Sequence, residues 1–226
     1  MLNHLHRKLS GSDSHASGSM QGWGKSYDRM VSLLSFGQEQ KFRQSTLKLA
    51  RIQPGERILE VGCGTGTLTL AAKAQAGPHS QVCGIDVAPD MIETARHKAA
   101  QAGREIEFQL SSIAAIPYPD GQFDLVLSSL MLHHLPGDAL KRQGMQEVLR
   151  VLKPGGRLLI VDVAVPKNGL VHALASMVVG RGMMAHPVAE YIPLLEQVGF
   201  VKIETGPTQS SFLAYLSGKR EQNLIE

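Results

Sequence analysis

The chain has 226 residues, of which 43% are apolar and 19% charged, with a formal net charge of +3. That is length and composition for one soluble domain with a sizeable core. Lys and Arg are scattered, without the runs that track phosphates, so no nucleic-acid partner is expected. Two cysteines, Cys63 and Cys83, are too few for a disulfide framework or a zinc site, so a reducing, cytoplasmic setting is the expectation.

No uninterrupted apolar stretch approaches the ~18–20 residues that a membrane span needs, so no stable membrane insertion is expected. The opening MLNHLHRKL lacks the apolar core of a signal peptide, and SGSDSHASGS cannot bury enough surface to fold. Residues 1–19 are therefore expected to form a disordered tail, with Met20 a second candidate start. Residues 20–226 are expected to form a single domain. Within it, Tyr27 to Phe36 has apolar residues at helical spacing, and a second helix is expected over Glu39 to Ala50.

Pro54-Gly55 turns the chain into an apolar strand at Ile58, Leu59 and Val61. That strand breaks into glycines two apart, Gly62, Gly64 and Gly66, before a helical segment from Leu68 to Ala76. Gln81 to Asp86 predicts a second strand ending in an acid. The helix after it, from Pro89 to Gly103, carries Asp90 and Glu93 at the spacing of a capping box. Further strands are expected at Ile106 to Leu110, at Phe123 to Ser129, and at Arg157 to Val163. A helix begins at Pro136-Gly137-Asp138 and is stopped by Lys153-Pro154-Gly155-Gly156.

Five alternations of strand and helix argue for a parallel sheet covered on both faces, an α/β doubly wound fold. Near the C-terminus, helical segments at 169–180 and 188–198 lead to two strands, Val201 to Thr205 and Ser211 to Leu216. Gly206-Pro207 lies between them, and so short a link forces an antiparallel hairpin at the sheet edge. The total is seven strands. Pro193, inside the second helical segment, is expected to kink it.

In such a sheet a ligand binds outside the carboxyl ends of the strands, at the switch in strand order. Four strand ends meet there, at Gly62–Gly66, Asp86, Ser112–Ile113 and Ser128–Ser129. Asp86, closing the second strand, suits the two hydroxyls of a ribose, which any adenosine cofactor carries. The spacing narrows the choice. A nicotinamide turn runs G-x-G-x-x-G; this one is G-x-G-x-G, with Glu60 two residues before its first glycine.

Glu60-x-Gly62-x-Gly64-x-Gly66 together with Asp86, PYPDGQFD and LKPGG resembles the class I S-adenosylmethionine-dependent methyltransferases, which have a Rossmann-like fold. The resemblance covers about residues 24–217, and its nearest subgroup by motif is the ubiquinone/menaquinone-biosynthesis C-methyltransferases. It implies S-adenosyl-L-methionine as cofactor and a small-molecule methyl acceptor, apolar or aromatic: a quinol, phenol, amine or lipid head group. The glycine turn then wraps the methionine portion, Asp86 holds the ribose, and Ser112 and Ile113 flank the adenine. Thr65 and Ser129 complete the contacts carried over by that match, and Tyr27, Glu60, Val87, Met91 and Ser128 join the glycines as cofactor-binding candidates.

Three departures separate this chain from the quinone enzymes. Ser112 stands where Asp or Asn is usual, MLHHL replaces their sequence after the fourth strand, and the segment between the fifth and sixth strands is shorter. The cofactor follows from the resemblance; the quinone does not.

Methyl transfer needs a base only when the acceptor atom is protonated. His133 and His134, after the fourth strand, are the catalytic candidates, with Asp162 at the end of the fifth as a second. The plainer alternatives are an exposed histidine pair and a strand-end acid. Glu60 either touches ligand or caps the amides of the turn, Cys63 is expected to pack, and Tyr27 either closes over the cofactor or packs, as Trp23 is expected to. The Met-rich 173–184 segment lines an apolar pocket or simply covers the sheet.

Two rival functions are a cofactor-binding protein without catalysis and a short-chain dehydrogenase. The latter needs a Tyr-x-x-x-Lys pair, found only at Tyr215 and Lys219. A nucleic-acid methyltransferase would need Asn/Asp-Pro-Pro or Pro-Cys after the fourth strand, where SSLMLHH stands. No metal site is expected, and the sequence sets no oligomeric state.

Overall fold

The computed structural model describes residues 39–164, 188–210 and 213–222. Its elements run α1 (Glu39–Ala50), β1 (Ile58–Val61), α2 (Thr67–Ala76), β2 (Val82–Asp86), α3 (Pro89–Gln101), β3 (Glu107–Leu110) and β4 (Phe123–Ser129). After a 3-10 turn (Leu132–His134) come α4 (Gly137–Val151), β5 (Leu152–Val163), a second 3-10 turn (Val188–Tyr191), α5 (Ile192–Val198), β6 (Phe200–Pro207) and β7 (Leu213–Arg220). The tail, the helix expected over Tyr27–Phe36, Trp23, and the segment at 169–180 lie outside the described residues.

The seven strands form one sheet in the order β3-β2-β1-β4-β5-β7-β6. The first five are parallel, and β7 runs antiparallel to both β5 and β6. Alternate side chains divide the core between the two faces, as the pleat requires. Leu59, Cys83, Val126 and Leu158 pack with Met145 and Val148 of α4 on one face. Ile58, Val82, Leu125 and Leu159 pack with Ala50 of α1 and Ala72 of α2 on the other. Strand order reverses between β1 and β4, whose carboxyl ends lie side by side with Val61 opposite Ser128. That is the crevice in which a doubly wound sheet takes a ligand.

Several boundaries differ from the sequence expectation for identifiable reasons. Asp90 is not the N-cap that a capping box with Glu93 needs: the N-cap is Ala88, which makes no side-chain cap bond, and Pro89 fills the first helical position. Lys153-Pro154-Gly155-Gly156 is a bulge within β5, since Phe123 pairs with Leu152 and Leu125 with Arg157. A Cβ on Gly156 would stand 2.8 Å from the Lys153 carbonyl. Pro193 kinks nothing, because the 188–198 segment divides into a 3-10 turn and a short helix with Pro193 in its first turn. Gly206 and Pro207 lie within β6, paired with Tyr215 and Ala214, so the hairpin link comes after them. On this edge strand the missing proline N–H leaves no ladder bond broken, and Gly206 leaves room for the Tyr215 ring.

Arg157 fastens α1 to the sheet. Its guanidinium donates to the carbonyls of Ala50 (2.9 Å) and Arg51 (3.2 Å), which end that helix, and to both carboxylate oxygens of Glu56 (2.6 and 2.8 Å). A planar fork makes all of these at once, which an ammonium group does not. Arg157→Ala is expected to cost about 1.5–3 kcal/mol of stability, in the range of charge-assisted hydrogen bonds, with Arg157→Lys recovering only part. Urea unfolding measures both.

Candidate functional site

The turn after β1 is built almost entirely from backbone. The amides of Gly62 and Cys63 both donate to the Ile85 carbonyl (2.8 and 2.9 Å), and Gly66 closes on the Cys63 carbonyl (2.9 Å). Gly62, Gly64 and Gly66 have φ of 70°, 51° and 73°, a left-handed region costly for any residue with a Cβ. Their surroundings differ. A Cβ on Gly62 would stand 2.2 Å from Cγ of Met131, and one on Gly66 2.8 Å from Ala95 and Phe108, whereas nothing among the described residues lies within 4 Å of that position on Gly64. Gly62 and Gly66 therefore serve close packing, and Gly64 borders open space.

Asp86 secures the turn from below. Its Oδ2 accepts the Gly64 amide (2.8 Å) and its Oδ1 the Ala88 amide (2.9 Å). A carboxylate has about four acceptor positions, so two remain after these bonds, one on each oxygen. Lys98 of α3 clamps the other side, donating to the Thr65 hydroxyl (3.0 Å), the Thr65 carbonyl (3.2 Å) and the Thr67 hydroxyl (2.5 Å). No local sequence pattern marks Lys98, which lies 33 residues from Thr65.

Glu60 neither caps the turn amides nor faces open space. It is 3% exposed, and its carboxyl accepts a hydrogen bond from the Thr69 hydroxyl of α2. Burial pushes its pKa from an ordinary 4.5 up to about 8; the Thr69 bond opposes this and the nearby Asp86 charge adds to it. Cys63 packs with Ile92, Ala95, Ala99 and Phe108, and burial raises its pKa far above the thiol range, so it is no nucleophile.

Around the turn, the other candidates divide between core and rim. Met91 (2% exposed) and Ile113 (6%) direct their side chains into the core, with Ile113 against Gly144 of α4. Only their backbone is left to a ligand. Val87 is 68% exposed, and the sequence reading missed two companions, Leu110 (55%) and Leu130 (41%). These three end or follow β2, β3 and β4, and Leu110 pairs with Asp86 itself. The Ser112 hydroxyl accepts the Ala114 amide (3.2 Å), Ser129 is half-buried, and Ser128 Oγ is buried with no hydrogen-bond partner among the described residues. Tyr27 lies outside them.

Beyond β4 the chain passes through Leu130, held at φ +53° with its amide on the Val161 carbonyl (2.9 Å). A non-glycine residue in this region is strained, and such strain gathers at functional sites. The 3-10 turn that follows brings His133 onto Asp162: Nδ1 lies 2.6 Å from Oδ1, with side chains 5% and 1% exposed. The sequence reading named both residues but did not pair them. The His134 ring lies beside that of His133, with centroids 4.0 Å apart. Burial and His133 hold the His134 pKa below the usual range, against the opposing charges of Asp162 and Asp86. Tyr215 and Lys219 sit four residues apart on a strand, about 13 Å at ~3.3 Å per residue, which sets aside the dehydrogenase pair.

The chain is similar to several known proteins. A family model described as "Methyltransferase domain" matches residues 58–156. A demethylmenaquinone methyltransferase from Listeria monocytogenes is 36% identical over 142 residues, covering 62% of this chain and 59% of that protein. A ubiquinone/menaquinone biosynthesis C-methyltransferase from Geobacter sulfurreducens is 36% identical over 147 residues, 64% of this chain and 56% of that one. The chain thus spans less than two thirds of these relatives' length. Among solved structures, a SAM dependent methyltransferase from Aquifex aeolicus superposes with a TM-score of 0.69 at 21% identity, covering 87% of this chain and 96% of that one; the fold is shared.

Two outcomes follow from the packing and the charge. Gly62→Ala drives a Cβ into Met131 and is expected to cost about 1–3 kcal/mol for overpacking, with ~1–2 more for the left-handed backbone. Adding Met131→Ala should return the first part only, as denaturant melts would show. Between pH 4.5 and about 8 folded Glu60 holds a proton that the unfolded chain has released, so stability falls as pH rises across that window. Glu60→Gln keeps the Thr69 bond without this loss. Its melting temperature should exceed that of the native protein near pH 8.5 and converge with it near pH 5.

Proposed function

We propose that this chain is a class I S-adenosylmethionine-dependent methyltransferase, a reading supported by the methyltransferase-domain match and the relatives' similarity, that it binds its cofactor in the cradle of the glycine turn and Asp86, and that it methylates a small apolar or aromatic molecule. The observation that carries the reading is the pair of acceptor positions left on Asp86, beside a Gly64 whose missing Cβ opens onto free space. Two acceptors on one carboxylate match the two donors of a ribose diol, and the exposed Val87 and Leu110 suit the apolar face of an adenine. Gly62–Gly66 would hold the methionine portion by close backbone approach, with Thr65, Ser112, Ser128 and Ser129 as further polar contacts.

The bound cofactor supplies a methyl carbon made electrophilic by a sulfonium charge. What remains for the chain is alignment and exclusion of water. Lys98 and Asp86 hold the turn from opposite sides, so its geometry is set before ligand arrives and less ordering is lost on binding. Strand order places the crevice between β1 and β4, with the Leu132–His134 turn next to it.

The relatives' names make a quinol one of the acceptors to test, alongside phenols, amines and lipid head groups. MLHHL and the shorter segment after β5 set this chain apart from the quinone enzymes by sequence, so the acceptor class is open to a labelled-methyl screen. Calorimetry tests the cofactor. S-adenosylmethionine and S-adenosylhomocysteine should bind and NAD(P)H should not, and Asp86→Ala should weaken binding by ~1–3 kcal/mol through lost charge-assisted hydrogen bonds. Unchanged affinity would place the ribose elsewhere, and binding of the nicotinamide alone would end the reading.

A further inference from the structure

We infer that His133 is the base that removes a proton from the acceptor and that Asp162 is its positioning residue, which narrows the acceptor to phenol-type O–H groups and acidic ring C–H groups. This inference rests on the methyltransferase reading.

Three observations carry it. Asp162, 1% exposed, engages His133 twice: through Nδ1 at 2.6 Å and, at the limit of hydrogen bonding, through the backbone amide at 3.4 Å. Asp162 also accepts the Val163 amide at 2.7 Å, so the carboxylate itself is fixed. A carboxylate on one ring nitrogen makes that nitrogen the N–H and leaves the other as the acceptor. That other nitrogen, Nε2, is buried with no partner among the described residues. An unsatisfied buried polar atom is costly, and a proton-donating ligand relieves that cost.

Placement is the third observation. Met131, two residues before His133, packs directly on Gly62 of the cofactor turn, and His134, one residue after, feels the charge of Asp86. The imidazole therefore sits on the loop that folds over the cradle. The titratable groups facing it are Asp162 from β5 and His134 beside it, with Tyr191 of the second 3-10 turn also within reach of the Asp162 charge.

In the step, the acceptor's O–H or C–H bond breaks and its proton passes to Nε2. The electron pair released forms the new bond to the methyl carbon as that carbon's bond to sulfur breaks, leaving a neutral thioether and an imidazolium held by Asp162. A neutral amine brings its own lone pair and needs no such group before attack. An amine site would thus gain nothing from a buried, partnered imidazole.

The test uses the full chain with catechol, 1,4-dihydroxynaphthalene and phenethylamine as acceptor probes. His133→Asn and Asp162→Asn should bind S-adenosylhomocysteine within about twofold of the native affinity. His133→Asn should lower transfer to catechol or the dihydroxynaphthalene by ~10²–10⁴-fold, as for a lost general base, and remove the acid limb of the kcat/KM–pH profile. Asp162→Asn should lower the rate less and shift that limb. Independently of turnover, ¹⁵N resonances of the native His133 ring should report Nδ1–H with Nε2 unprotonated, a tautomer lost in Asp162→Asn. An Nε2–H tautomer in the native protein, preferential methylation of the amine, or a His133→Asn rate within a few fold of native would each overturn the assignment. Absence of S-adenosylhomocysteine binding to the native chain would instead overturn the methyltransferase reading beneath it.

Discussion

The shape of the site depends on one carboxylate. Asp86 ends β2 and receives the Gly64 amide from the turn after β1 and the Ala88 amide from the start of α3. Three elements, which also pack through Cys63, Ile92 and Ala95, are thereby joined at two oxygens. The Ile85 carbonyl next to it takes the Gly62 and Cys63 amides, so the end of β2 supplies most of what orders the turn. Three glycines in left-handed conformations would otherwise carry a large conformational entropy into the unfolded and loosely folded states.

Charge is distributed around this turn with some economy. Glu60 lies near Asp86, and two like charges so close would repel in a poorly solvated site. Burial keeps Glu60 protonated near neutral pH, so it acts as a neutral link between β1 and Thr69 of α2. Lys98 brings a cation to the opposite side of the turn, where the Thr65 and Thr67 hydroxyls disperse it. On the far side of the crevice, Asp162 is matched by His133. Each buried ionisable group at the site thus has either a proton or a partner, which is the condition for burying it at all.

Much of this arrangement was legible in the sequence where it depends on short-range chemistry. The glycine spacing and the acid ending β2 marked the turn and the carboxylate that anchors it, because a sharp strand-to-helix turn leaves its residue types in one short stretch. Strand β4 and helix α1 have the bounds their apolar patterns predict. What sequence reasoning missed is set by distance along the chain. His133 and Asp162 are 29 residues apart and meet only because β4 and β5 pair in register and Leu130, in a left-handed conformation, bonds its amide to Val161. Lys98 reaches Thr65 across a helix–helix packing that no local pattern announces. Gly206-Pro207 was misread for the opposite reason: its turn chemistry is real but idle on an edge strand, where β6 runs straight through it.

The proposed seat of S-adenosylmethionine is the crevice formed by the glycine turn, Asp86 and the ends of β3 and β4. Backbone amide chemical shifts, followed by NMR as S-adenosylhomocysteine is added to the ¹⁵N-labelled chain, test it residue by residue. The largest changes should fall on residues 62–66, 86–88, 110–113 and 128–130. Saturable changes confined to another surface, such as the cleft between α4 and α5 lined by Asp138 and Gln197, would contradict it.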